Sequence, residues 1–283
     1  MSIIDGIFQD FINTSAFVIM YVVLFFLAKW FKDFLTPYRI HDELTEKDNL
    51  AIALIMCGYY FATVAIFVGA LTGPSQGLIN DLMQVGGYSI LGLVFLNLSR
   101  FVNDKLILRT FCNVEKLTQD QNVAVGAVQF GTYVATGMIA AGAVMGTGGG
   151  VATAVVFFIL GQLSLFLFSY IYDFITPYSI QEAIGNGNVA AGTALGGTLI
   201  ALGVIVSNGV AGDFVSWQVN LTHLALVNVM AFVFLPLVRL MMDKLVIPGA
   251  DLSEEIIRDK NLGAGFLEAT VAISFAIVLR SVL

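Results

Sequence analysis

Eight long apolar stretches run along the chain at about 14–35, 49–72, 78–103, 122–145, 150–174, 188–210, 220–245 and 262–282, parted by polar turns. Each matches the ~20 apolar residues that cross a bilayer as a helix. None alternates with the period of two that a barrel strand requires. The pattern predicts an all-α polytopic membrane protein with eight transmembrane helices. Ahead of the first stretch, Ile3, Ile4, Ile7, Phe8 and Phe11 recur at helical spacing beside Asp5 and Asp10. That start predicts a short interfacial helix and, lacking a basic leader, no cleavable signal peptide. Pro236 inside the seventh stretch predicts a kink.

The pattern also repeats. FLTPYRI at 34–40 recurs as FITPYSI at 174–180, and RFVNDKL at 100–106 recurs as RLMMDKL at 239–245. The halves meet at the glycine turn 146–150, which divides the chain into 1–147, with the interfacial segment, and 148–283. Each half holds an even number of spans, so both insert the same way as parallel four-helix repeats. A finer repeat lies within: the even-numbered spans open on Asn49, Asn122, Asn188 and Asn261, each followed by small residues. The unit is a hairpin of one aromatic helix, a polar turn and one Gly/Ala-rich helix. Small residues pack helices closely, as at Gly192 and Gly196, so the even spans are expected at the centre with the odd spans flanking them. The four Asn are placed as N-caps. If the four helix starts converge, they would also form a ring of amides favouring an anion at the cytoplasmic mouth.

Composition narrows the class. The apolar share is 58%, the charged share 12% and the mean hydropathy +0.89, outside the range of soluble and disordered chains. A net charge of −7 is no nucleic-acid footprint. Twelve of the 13 Lys and Arg fall at or between spans 1/2, 3/4 and 7/8, with only Arg280 on the other side. The positive-inside rule then places those turns in the cytoplasm and both termini outside. Cys57 and Cys112 lie at different depths and read as free thiols.

The stretches 175–178, 188–192 and 196–199, and then Arg239 through 252–257 to 261–265, carry a family resemblance. They resemble the domain of unknown function 350 family, of the small YjfL-like type, with two tandem copies covering nearly all of the chain. The first copy departs most at 109–113, while 115–117 and Asn122 remain. The resemblance implies a bacterial-type inner-membrane protein with no established activity. It also implies a neighbourhood of membrane-stress or membrane-remodelling genes and an ATP-grasp ligase.

Ionisable groups in the bilayer need a reason. Glu268 lies about 10 Å inside span 8 at 1.5 Å per residue, on a face shared with Gly265, Ala272 and Ala276. It is the candidate ion or proton site, or else a neutral carboxyl hydrogen-bonded in the bundle. Its counterpart in the first half is Gln129, which does not titrate. Gln129, Thr132, Tyr133 and Thr136 share one face of span 4, and Tyr60 and Thr63 take matching positions on span 2. That stripe is a candidate polar pathway, or interhelical hydrogen bonding. Pairs of Arg100 with Asp104 and Arg239 with Asp243 are expected along one helix. Contacts of Asp33 with Arg100 and Asp173 with Arg239 are expected across helices. No metal cluster, nucleotide loop or nucleophile elbow is present beyond the weak triplet His41-Asp42-Glu43. No cofactor is expected, nor an enzyme.

Two functions remain open. One is small-ion or small-solute transport with Glu268 as the charge site, which requires a polar cavity reaching it. The other is a non-transporting scaffold, which requires a dry core and a cytoplasmic face (36–48, 108–121, 246–260) that recruits a membrane-maintenance partner. Beyond the lipid bilayer, the expected partners are a cytoplasmic protein and a second copy of the chain.

Overall fold

The computed structural model describes residues 3–246 and 251–283. Among these every regular element is helical. The long helices are α1 (Ile3–Leu35), α3 (Leu50–Ala70), α4 (Leu78–Leu106), α6 (Val123–Val144), α7 (Gly150–Ile175), α9 (Val189–Val210), α10 (Trp217–Met241) and α12 (Leu262–Val282). All eight are long and apolar enough to cross a membrane. Pro236 stays inside α10, which closes on a π turn at Met242–Val246. Residues 3–13 run straight into α1, so the separate interfacial helix expected at the N-terminus does not form. The polar residues around Asn13 do not break the helix, because Gln9 donates to Asn13 one turn on. Residues 1–2 of that segment, and 247–250 of the third basic loop, lie outside the described residues.

The turns at the basic end are structured as well. Each holds a six-residue helix: α2 (Ile40–Thr45), α5 (Asn113–Thr118), α8 (Ile180–Gly185) and α11 (Leu252–Ile257). Buried Ile40, Leu117, Ile184 and Ile256 dock these short helices onto the bundle. The residue after each short turn adopts a left-handed conformation: Asp48 (φ 50°), Gln121 (φ 46°), Gly187 (φ 79°) and Lys260 (φ 49°). That conformation ends a helix and reverses the chain. The next residue is in every case the Asn, whose side-chain oxygen caps α3, α6, α9 or α12.

The small-residue helices pack side by side in one row, α3–α6–α9–α12, with α3 and α12 at its ends. The aromatic helices α1, α4, α7 and α10 form a second layer, each lodged against the row and its own neighbours. Even-numbered spans form the row that the small-residue pattern predicts, with α6 and α9 at its centre, but α12 at its end is less buried than the odd-numbered spans α4 and α7. The row is an open array of four hairpins, and the four Asn do not converge on a ring. Gly126 faces Ala51, Gly192 faces Ala124 and Gly265 faces Ala190 across successive seams. At these positions a Cβ would strike the neighbouring backbone, so only glycine permits the approach. At the far end Asp213 accepts from both the amide and the hydroxyl of Thr147 at 2.7 Å, pinning the junction between halves to the α9–α10 turn. Those two bonds hold the Asp213 carboxyl below its usual range.

Candidate functional site

Two polar clusters sit in the bundle at equivalent places in the two halves, each near the basic end. In the second half, Arg239 of α10 reaches between α7 and α12 and donates to Glu268 Oε1 at 2.5 Å. Tyr172 donates to the same oxygen at 2.8 Å, and Arg239 also donates to the hydroxyls of Tyr172 and Tyr178. Glu268 is 2% exposed, and its Oε2 has no partner. A cavity of about 10 Å³ adjoins the cluster, room for about one water.

The first half holds the same scaffold with its charges redistributed. Lys32 of α1 stands two residues before Phe34, as Tyr172 stands two before Phe174. It is 1% exposed and donates to the Tyr133 hydroxyl at 2.5 Å. Its ammonium lies 4.5 Å from the Tyr133 ring centre and 5.3 Å from that of Tyr59. Two aromatic faces thus hold the cation, and among the described residues no carboxylate pairs with it. Tyr59 is itself fixed by donating to Ala28 O and accepting from Asn97. Gln129, at the Glu268 position, donates to Asp104 at 2.5 Å. Arg100 donates to Leu35 O and to Thr36, closing the end of α1. Just outside the span, burial raises the Tyr38 hydroxyl to about 12, so it stays protonated.

Several expected pairings change. Arg100 does pair with Asp104, at 3.7 Å. Asp33 pairs with Lys29 on its own helix instead of with Arg100. Asp173 pairs with Arg109 at 2.8 Å instead of with Arg239. Adjacent residues on a helix point about 100° apart at 3.6 residues per turn, so Tyr172 faces the cluster while Asp173 faces α4's end. Arg239 leaves Asp243 for Glu268, and Asp243 turns to Lys244 and the Leu252 amide.

The candidate polar stripe does not line one passage. Thr132 and Thr63 donate to carbonyls one turn back on their own helices, a common way for a span to satisfy a hydroxyl. Thr136 joins Asn103 and Gln162 between α4, α6 and α7. Tyr133 belongs to the lysine cage, and Tyr60 packs on Phe25. Asn49, Asn122 and Asn188 each do a second task besides capping. Their amides donate to Leu117 O, Ile184 O and Ile256 O, the short helix of the following hairpin. Asn261 donates to its own Glu255. The residues that the sequence reading passed over are Lys32, Tyr172 and Asn103. The alignment of the two TPY turns, which sets Lys32 against Tyr172, is the signal that marks the first two.

Fold and clusters together define a multi-pass membrane protein made of two tandem four-span copies. The chain belongs to the Domain of Unknown Function family DUF350, matched over residues 6–144 and again over 147–283. No curated protein and no solved structure matches it.

Proposed function

We propose that the chain is a non-transporting membrane scaffold whose basic end holds a cytoplasmic partner. Backbone-to-backbone packing along the α3–α6–α9–α12 row carries this reading, with the void beside Glu268 no larger than about 10 Å³. A solute needs a passage, and the close seams of the row support a reading without one there. The positive-inside rule supports a cytoplasmic basic end and external termini, and the family resemblance supports a bacterial-type inner membrane. On this account the two clusters fasten each half: Arg239 to Glu268 in one, and Lys32 to its aromatic cage in the other. No cofactor or catalytic role is assigned to them.

Transport of a small ion is the second reading. It is favoured by one observation: Lys32 is buried without a carboxylate, and Glu268 Oε2 is buried without a donor. Intramembrane ionisable groups often mark ion paths. Purified protein in liposomes distinguishes the two when proton, potassium and chloride flux are measured for the native chain, Lys32→Gln and Glu268→Gln. The scaffold reading expects all three to match protein-free liposomes. Native flux that falls in either variant would replace it with transport.

A further inference from the structure

We propose that the first repeat carries a binding site for a small organic amine with an apolar body, in a cleft at the end of the bundle opposite the basic turns. The site lies apart from the face that the scaffold reading uses, so neither depends on the other. The cleft holds about 460 Å³ between α1, α3, α4 and the 146–147 turn, within the range of small-molecule sites. Phe17, Ala70, Val85 and Val144 give it an apolar wall, and Gln9, Asn13, Gln76 and Gln84 give it four carboxamides. Its charge comes from Asp81, and no Lys, Arg or His lines it among the described residues.

The second repeat shows the same place closed. Setting RFVNDKL on RLMMDKL pairs Ser75, Leu78 and Asp81 with Phe214, Trp217 and Asn220. Setting FLTPYRI on FITPYSI pairs Asn13 and Phe17 with Thr153 and Phe157. In the second repeat Trp217 stacks on Phe157 at 6.1 Å, and Phe214 meets Trp217 edge-on at 5.1 Å. Only about 30 Å³ remains there. The first repeat has serine and leucine where those two rings stand, and the cleft opens in their place. The fold therefore does not demand the opening. An open cleft forgoes the contacts that two buried rings supply, and a ligand restores them.

The charge of Asp81 is also surplus to the fold. Its Oδ1 accepts from the Gln76 amide at 2.7 Å and its Oδ2 from the Ser75 hydroxyl at 2.6 Å, which clamps the turn before α4. Asn220 clamps the matching turn without a charge, as its Oδ1 accepts from the Val215 and Ser216 amides at 3.0 and 3.2 Å. The turn thus needs an acceptor there and not an anion. Each Asp81 oxygen keeps a second lone pair, which a ligand ammonium meets in a charge-assisted bond. A lone negative charge in the lining disfavours an anion, and the apolar wall takes the body of the ligand. The amine belongs either to a free molecule or to the ethanolamine headgroup of a lipid.

The test titrates the native chain, in phosphatidylcholine nanodiscs, with phenethylamine. Phenethyl alcohol and 3-phenylpropionate are the neutral and anionic probes of similar size, and saturation-transfer NMR reads binding. The amine should bind about tenfold or more tightly than the alcohol, the value of one hydrogen bond to a charged group, and the propionate should bind least. Asp81→Asn, which keeps the acceptor of the turn, should erase the preference for the amine. Ser75→Phe with Leu78→Trp, which installs the rings of the second repeat, should abolish binding of amine and alcohol alike. Discs that include phosphatidylethanolamine identify the source: an unchanged amine affinity supports a free molecule, and competition supports the lipid headgroup. No amine binding by the native chain at about 10 mM, a concentration well above a millimolar Kd, would overturn the proposal. Equal binding of all three probes would overturn it too, and neither result depends on how a variant folds.

Discussion

Gly131→Val should unfold the protein or lower its stability by about 3 kcal/mol or more, the upper end of what overpacking costs. Gly131 sits midway along α6, where its Cα faces the backbone of Gly196 on α9. A Cβ there falls inside the van der Waals surface of the Gly196 carbonyl, and neither partner is a flexible side chain that can swing away. The α6–α9 seam joins the two family copies, so forcing it apart separates the halves of the chain. Gly73→Val is the matched control. Gly73 lies in an exposed turn with nothing within 4 Å of an added Cβ, so its substitution should leave stability unchanged. Thermal unfolding of both variants in mild detergent makes the comparison.

Glu268→Ala should be nearly as damaging, by about 3–5 kcal/mol, because it strands the Arg239 guanidinium without its anion. The loss follows from the geometry: Arg239 and Tyr172 both donate to Glu268 Oε1, and Ala offers neither an acceptor. Removing both charges together, as Arg239→Met with Glu268→Leu, should recover most of that loss, since apolar replacements of similar volume tolerate burial. Gln129→Ala at the equivalent position in the first half should cost only about 1 kcal/mol, the net value of a hydrogen bond. Asp104 keeps Arg100 beside it there. Unfolding midpoints of these three variants, set against the native chain, compare the two halves. Equal losses at Glu268 and Gln129 would show that the Arg239 ion pair contributes nothing beyond a neutral contact.

The architecture was legible because its signals are local. Membrane-length apolar runs mark the spans, and the repeated TPY and Asn motifs mark the hairpins. The small residues after each Asn mark the central row. The capping role of Asn49, Asn122, Asn188 and Asn261 follows from the residue type at a helix start. Their second role does not, because the carbonyl each amide meets belongs to the next hairpin and is set by packing. The four short helices escaped notice since six polar-rich residues carry little periodicity. In the clusters Glu268, Arg239, Gln129 and Tyr133 stand out in the sequence, but Lys32, Tyr172 and the partners of all of them do not. Spacing along one helix joins Arg239 to Asp243, whereas the bundle offers it Glu268 and two tyrosines in a drier place. Lys32 counted only as one more basic residue at a span end. Its aromatic cage is assembled from α3 and α6, so no stretch of sequence near Lys32 announces it.

Thiol labelling tests most directly whether the core around the Glu268 cluster is closed. Thr198 is 4% exposed and lines the small cavity beside Glu268. In a Cys57→Ser, Cys112→Ser background, Thr198→Cys in native membranes should resist a charged, water-soluble methanethiosulfonate from both sides. Cys112, exposed at the basic end and kept native in a separate Cys57→Ser chain, serves as the reactive reference. Protection of the Thr198→Cys thiol is the predicted result. Labelling at a rate close to that of Cys112 would contradict it, because water would then reach Glu268 through an open path.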